Sequence, residues 1–271
     1  MKLFAVLLLL LLLLGMFSLS VAEVVDSFKD TCPQFFIKDK NNQAITPTVF
    51  NAYQYKQICQ FYKGEYRFAT LYDTIHRIPV YSAYTYTITG NRKIKYNDWK
   101  IEPQVTDTSP NQADTSPNKA DTSPNEKYTR GHLFPKSYAF SDQQKESTFT
   151  LTNTAPQIQK SNEEWAEEVE IPMRKVIKEN CDEHYLVNIV TGVVPGDTWL
   201  PIQQGEKKNN QRVNIPRYFW TAYSCKSKNN DIKSNAYIAK QITGSPTDKL
   251  SIDELNKKLE KHYGTPFCVF G

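Results

Sequence analysis

Through FATLYDTIHRIPVYSAYTYTITG, residues 68–90, aromatic and β-branched residues alternate with small and polar ones. That period of two predicts consecutive β-strands. The same texture predicts a strand over STFTLTNTAPQ, residues 147–157, ending at Pro156, and two more in YLVNIVTGVV from Tyr185 and RYFWTAYSC from Arg217. In SNEEWAEEVEIPMRKVIKEN, residues 161–180, the period becomes helical, with Trp165, Val169, Met173, Val176 and Ile177 on one face. Ser161 and Glu164 have the spacing of a capping box at its start. Pro172 predicts a kink, because its ring removes a backbone donor and crowds the preceding turn. A second capping box, Ser251 with Glu254, opens SIDELNKKLEKHYG, residues 251–264, and Gly264 stops that helix. The sum is an α+β fold, a mixed or antiparallel sheet with flanking helices, with no second domain boundary.

Two segments break the pattern. The chain opens with Lys2, an apolar run from Leu3 to about Leu14, and the small residues Ser20 and Ala22, which read as a secretory signal peptide over residues 1–22. The run is short for a membrane span, so residues 23–271 read as one secreted, extracellular domain with no membrane contact after cleavage. Residues 107–125, DTSPNQADTSPNKADTSPN, repeat Asp-Thr-Ser-Pro-Asn three times. Proline in each unit and the lack of apolar residues predict an exposed loop.

Charge excludes little. The net value of +4 includes Lys2, and the 29 acidic residues nearly balance the rest, so a polyanion site would have to be a local patch. Five cysteines in an oxidising compartment suggest two disulfides and one free thiol, with Cys32 and Cys59 the expected pair within the N-terminal segment.

The candidate chemistry lies in KYTRGHLFPKSY, residues 127–138, which sets His132 beside Arg130 and Gly131. Alone, His132 reads equally as a core or turn histidine, Asn162 as a helix cap, Glu170 as a solvated acid, and Arg130 and Arg174 as ion-pair partners. The order strand, connection, strand, helix from Tyr128 to Asn180 allows these groups to converge. With no paired histidines at zinc spacing, an ion there would be hard and oxygen-liganded.

TRGHLFP followed by TLTNTAPQIQKSNEEWAEEVE resembles the DNA/RNA non-specific endonucleases of the ββα-metal superfamily. FATLYDTIHRIPVYSAY, TGVVPG and VNIPRYFWTAYSC resemble its secreted endonuclease domain-containing 1-like branch. The resemblance implies a ββα-metal motif, with His132 as general base and Asn162 as the direct ligand of Mg2+, Mn2+ or another divalent cation. It implies further that Glu170 is the family's helix carboxylate and that Arg130 is a phosphate-facing cation; helix spacing would let Glu170 act through metal-bound water or a shared network, and Arg174, four residues on, can pair with Glu170 or reach a phosphate. Asn153 would orient His132 or the strand end. The implied activity is low-specificity cleavage of DNA or RNA to 5′-phosphorylated products. Thr129 stands where the signature has aspartate, and Thr85 about where several relatives keep an arginine. These departures favour a second reading, a catalytically weakened extracellular binding module on the nuclease fold. Oligomeric state is not legible in the sequence.

Overall fold

The computed structural model describes residues 22–88, 99, 128–204 and 207–271. The repeat segment, and the signal peptide up to Val21, lie outside the described residues. The strands are β1 (Glu23–Val25), β2 (Ile37–Lys38), β3 (Ala44–Ile45), β4 (Tyr55–Tyr62), β5 (Glu65–Asp73), β6 (Ile78–Tyr86), β7 (Tyr128–His132), β8 (Thr154–Ile158), β9 (Val187–Val194), β10 (Thr198–Gln204), β11 (Lys207–Ile215), β12 (Tyr218–Lys226), β13 (Ile232–Lys240) and β14 (Thr247–Leu250). The helices are α1 (Phe28–Thr31), α2 (Asp142–Ser147), α3 (Gln159–Trp165), α4 (Ile171–Asn180) and α5 (Ile252–Tyr263), and a π turn over Ala166–Glu170 joins α3 to α4.

Eight strands form one antiparallel sheet in the order β1-β4-β5-β6-β9-β12-β13-β14. Its central strands are covered on both faces, and β6 is buried from end to end, which is why they read as nearly continuous apolar runs. Alternation then assigns side chains to layers. On β12, Trp220 and Ala222 join Leu71, Leu255, Leu259 and Phe267 in the core beneath α5. Phe219 and Tyr223 point the other way, to Phe134, Tyr138, Trp165, Val169, Met173 and Ile177. The second core carries β7, β8, α3 and α4 on its outer side.

Two disulfides tie the outer layers to the sheet. Cys32–Cys59 fastens the segment around α1 to β4, as the sequence suggested, and Cys181–Cys225 fastens the end of α4 to β12. Loops of this length constrain the unfolded chain by about 3–4 kcal/mol each. Cys268 has no disulfide partner. At the C-terminal end α5 keeps its expected signals, with the Ser251–Glu254 capping box formed and Gly264 left-handed at φ 70°.

Two local expectations are corrected, and the one at Pro172 takes the form of a π turn. The Ser161–Glu164 capping box does not form. The helix starts two residues earlier, at Gln159, with Ile158 at its N-cap, because β8 runs straight into it. Ser161 is buried inside the helix, and the Glu164 carboxylate accepts a bond from the Gly244 amide. At Pro172 the helix continues: the π turn immediately before it widens the backbone ring, absorbing the missing donor without a break. The stretch read as one strand over 147–157 is the end of α2, a 3-10 turn at Leu151–Asn153, and β8.

Asn153 explains the last of these. Its carboxamide is fully buried and fills its four hydrogen-bonding positions. Oδ1 accepts from Ser82 Oγ and the Phe134 amide, both at 2.9 Å, and Nδ2 donates to the Phe134 and Thr148 carbonyls at 3.1 and 3.0 Å. A side chain that satisfies this much backbone turns the chain locally rather than extending it. Asn153→Ala strands several buried partners and is expected to cost about 3 kcal/mol or more. Urea unfolding of the full chain checks this, and a loss below about 1 kcal/mol would refute the assigned role.

Candidate active site

β7 and β8 form an antiparallel hairpin in which Tyr128 faces Ile158, Thr129 faces Gln157, Arg130 faces Pro156 and His132 faces Thr154. α3 follows β8 directly, completing a ββα unit. Gly131 is required at the centre of β7, since a Cβ there would overlap the Gln157 side chain that crosses it.

His132 ends β7 between two aromatic rings. Phe149 meets it edge-on with centroids 5.2 Å apart, and Trp99 lies 5.2 Å away at 44°. The two aromatics also touch each other, at 5.3 Å. Desolvation in this cleft, with the charges of Lys136 and Arg130, holds the imidazole pKa down at about 4, while a hydrogen bond to the Arg130 main chain works the other way. The ring is therefore neutral at physiological pH. Its Nε2 is buried and has no hydrogen-bond partner among the described residues, the condition of a nitrogen waiting to accept a proton.

Cations line the same place. The Arg130 guanidinium stacks on Trp99 at 4.4 Å, and the Lys136 ammonium stands 5.9 Å from the Phe149 ring centre. Both lie within reach of an anion arriving at His132.

Asn162 lies in the first turn of α3, against β7. Its Nδ2 donates to Thr129 Oγ1 at 3.3 Å, and Thr129 Oγ1 donates to the Gln157 carbonyl at 3.2 Å. Asn162 Oδ1 has no partner among the described residues, leaving one hard oxygen donor of the kind magnesium accepts. No group of three or more His, Cys, Asp or Glu side chains converges among the described residues. An ion at this site would thus rest on the Asn162 amide and its own waters.

Glu170 lies eight residues beyond Asn162, about 12 Å along the axis at helical rise. It closes the π turn, a feature that recurs at functional sites. Burial raises its pKa to about 7, and the charge of Arg174 opposes the rise. Tyr84 and Tyr138 lie close enough to feel its charge. The Arg174 guanidinium donates to the Ser137 carbonyl at 3.3 Å, and Tyr138 donates its hydroxyl to the Glu170 carbonyl at 2.6 Å.

The predicted residues therefore fall into three groups on one unit: Arg130 with His132, Asn162 with Thr129, and Glu170 with Arg174. Asn153 reaches the first group only through the backbone of Leu133 and Phe134. Thr85 is buried on β6 and brings no charge. Trp99, Phe149 and Gln157 were not anticipated. Phe149 was hidden in an apparent strand, and Trp99 stands in a stretch without periodicity, so neither carried a positional signal.

A two-faced antiparallel sheet bearing a ββα unit, with a neutral histidine on the hairpin and an amide on the helix, defines the class of α+β fold to which the chain is compared. Residues 46–267 match the family model of the DNA/RNA non-specific endonucleases, and the chain belongs to that family. The human protein called endonuclease domain-containing 1 is 30% identical over 209 residues, covering 72% of this chain and 38% of its own. Its mouse counterpart is 27% identical over the same extent. The match thus spans well under half the length of these relatives. A solved crystal structure of the EndoG/EndoGI complex aligns over 75% of this chain and 83% of that one, at 16% identity and a TM-score of 0.49.

Two titrations test the site. The chain has four histidines, and in an NMR titration His132 is expected to protonate near pH 4. In Trp99→Ala its midpoint should rise toward 6.5 as water enters; an unmoved midpoint would mean that Trp99 does not desolvate the ring. Glu170 has a folded pKa above its ordinary value, so its contribution to stability is complete below about 4.5 and is lost as pH rises through about 7. Without divalent ions, Glu170→Gln should therefore gain up to about 3 kcal/mol over wild type at pH 8 and almost nothing at pH 4. Equal denaturation midpoints at pH 8 would show the carboxylate to be solvated.

Proposed function

We propose that this protein is a secreted, divalent-metal-dependent endonuclease of low sequence specificity, hydrolysing phosphodiester bonds in DNA and RNA to 5′-phosphorylated products. The observation that carries this reading is the Nε2 of His132, without a partner among the described residues, a neutral base on the same ββα unit as the Asn162 oxygen, which is open among those residues. Family membership supplies the reaction class.

In this reading His132 Nε2 takes the proton of the attacking water. A base with a pKa of about 4 is weak; burial is the largest cause of the depression, and only the part due to neighbouring charge is conditional. The charges of Lys136 and Arg130 contribute to it, and a bound phosphodiester anion offsets both, so the imidazole gains basicity when substrate arrives. Arg130 and Lys136 hold the phosphate, and Arg174 extends the positive lining toward Glu170. Asn162 would hold the hydrated ion, with magnesium favoured and manganese as an alternative. When bound, that ion supplies Lewis acidity that stabilises charge on the phosphate and the leaving oxygen. Contacts confined to phosphate, sugar and ion carry no base information, which supports action on both DNA and RNA.

Secretion is supported by the apolar leader and by two disulfides, which persist in oxidising compartments. Among the described residues no helix is long and apolar enough to cross a membrane.

The test is degradation of plasmid DNA and of RNA by the purified chain, with magnesium or with chelator, beside His132→Ala and Asn162→Ala. Cleavage should need the metal and fall by about 10²–10⁴-fold in His132→Ala. A folded wild type that cuts neither polymer across divalent ions and pH would overturn the nuclease reading. It would favour the binding module, for which the uncharged Thr85 and Thr129 are the motive.

A further inference from the structure

The Thr129 hydroxyl has one proton to give and two lone pairs to offer. Its place in the hairpin decides how they are used. Thr129 sits directly across from Gln157, and its hydroxyl donates to the Gln157 carbonyl at 3.2 Å. A carbonyl can only accept, so the proton is committed there. Toward Asn162, 3.3 Å away, Thr129 is left with lone pairs alone. The half of the Asn162 amide that faces Thr129 must then be the NH2. Because the amide is planar, its oxygen faces the opposite way.

We infer that Thr129 is the positioning residue of the metal site: through its hydroxyl it fixes the rotamer of Asn162 so that Oδ1, and not Nδ2, is presented to the ion. The inference rests on the nuclease reading of the site and deepens it. It also changes the meaning of the departure from the family signature. An aspartate at 129 would accept from Asn162 too, but it would set a carboxylate against the Gln157 carbonyl, where the hydroxyl now makes a bond. Threonine meets both neighbours without charge. In this chain it is a working substitute rather than a lesion, and aspartate would not improve on it.

A misplaced amide is costly for a reason peculiar to a single-ligand site. Where three or four side chains hold an ion, one disordered ligand is partly covered by the rest. Here the Asn162 oxygen is the direct protein ligand, and an amide free to flip offers NH2 to a cation half of the time. Partners that orient metal ligands in this way are commonly worth about 10–100-fold in affinity or activity.

The test measures ion binding in the absence of nucleic acid. Mn2+ is titrated into the full chain by electron paramagnetic resonance, for wild type, Thr129→Val, Thr129→Ser, Thr129→Asp and Asn162→Ala. Valine keeps the shape and strand preference of threonine and removes only the hydroxyl, so the thermal midpoint of the ion-free protein should stay at the wild-type value. Thr129→Val should bind Mn2+ about tenfold more weakly, Thr129→Ser within about twofold of wild type, and Thr129→Asp no more tightly than wild type. Nuclease activity of Thr129→Val should recover at high Mn2+, and the acid limb of its pH profile should not move. Thr129→Val that binds as tightly as wild type, or Thr129→Asp that binds more tightly, overturns the inference and leaves the nuclease reading standing. Wild type that binds no Mn2+, or an Asn162→Ala chain that binds it undiminished, removes the site itself and both readings with it.

Discussion

The Asn153 carboxamide is the interaction on which the rest of the site depends. Its four bonds join Ser82 in the sheet, the turn after β7 at Phe134, and the end of α2 at Thr148. Each partner belongs to a different segment, and none can satisfy the other two. A buried amide with all four positions filled tolerates one geometry, since any shift leaves a polar atom without water or partner. His132 is two residues from Phe134, so its place above the sheet is set by this clamp rather than by the hairpin alone. Aromatic packing completes the fixation: Phe134 stacks on Tyr84 of β6 with centroids 4.0 Å apart and meets Phe68 of β5 edge-on at 5.4 Å. A rigid polar anchor and a rigid apolar one thus hold the same turn.

On that base the protein keeps several groups that weaken it. Glu170 sits where burial disfavours its ionised form, His132 presents a nitrogen with no partner among the described residues, and the helix leading to Glu170 departs from α geometry for a full turn. Neither the Glu170 carboxylate nor the His132 nitrogen helps the fold. They sit on the layer that needs most support, and the support is visible: Val169, Met173 and Ile177 pack beneath the helix, and the Cys181–Cys225 bridge closes its far end. Local stability is thereby concentrated around groups that would be costly anywhere else, which is the pattern expected of a site rather than of a structural accident.

What could be read from the sequence follows the range of the forces involved. Periodicity marked β5, β6, β9 and β12 correctly, because side chains alternate between two buried faces whatever their partners. Capping chemistry marked α5, because Ser251 and Glu254 act within one turn. The same capping signal failed at Ser161. There the preceding strand is already committed to pairing with β7, and it enters the helix two residues early, so tertiary pairing overrode a local preference. At Pro172 the signal of a disturbed helix was legible, and the disturbance takes the form of a π turn that absorbs the missing donor. The order of Arg130, His132, Asn162 and Glu170 along the chain was legible because one hairpin and one helix carry all four. The aromatic cleft was not. Trp99, Phe149 and His132 meet in space, and nothing in their spacing along the chain encodes that meeting.

The charge of the chain fits the same division between local and global. A net value of +4 gives no general attraction to a polyanion, yet Arg130 and Lys136 stand over the two rings that flank His132. Placed there, the cations act twice. Without an anion they help to keep the imidazole deprotonated, and with an anion between them that restraint is relieved. In the proposed reading the histidine would then be less basic without a bound phosphate than with one. Such coupling needs no moving part, only charges fixed by a clamp such as Asn153.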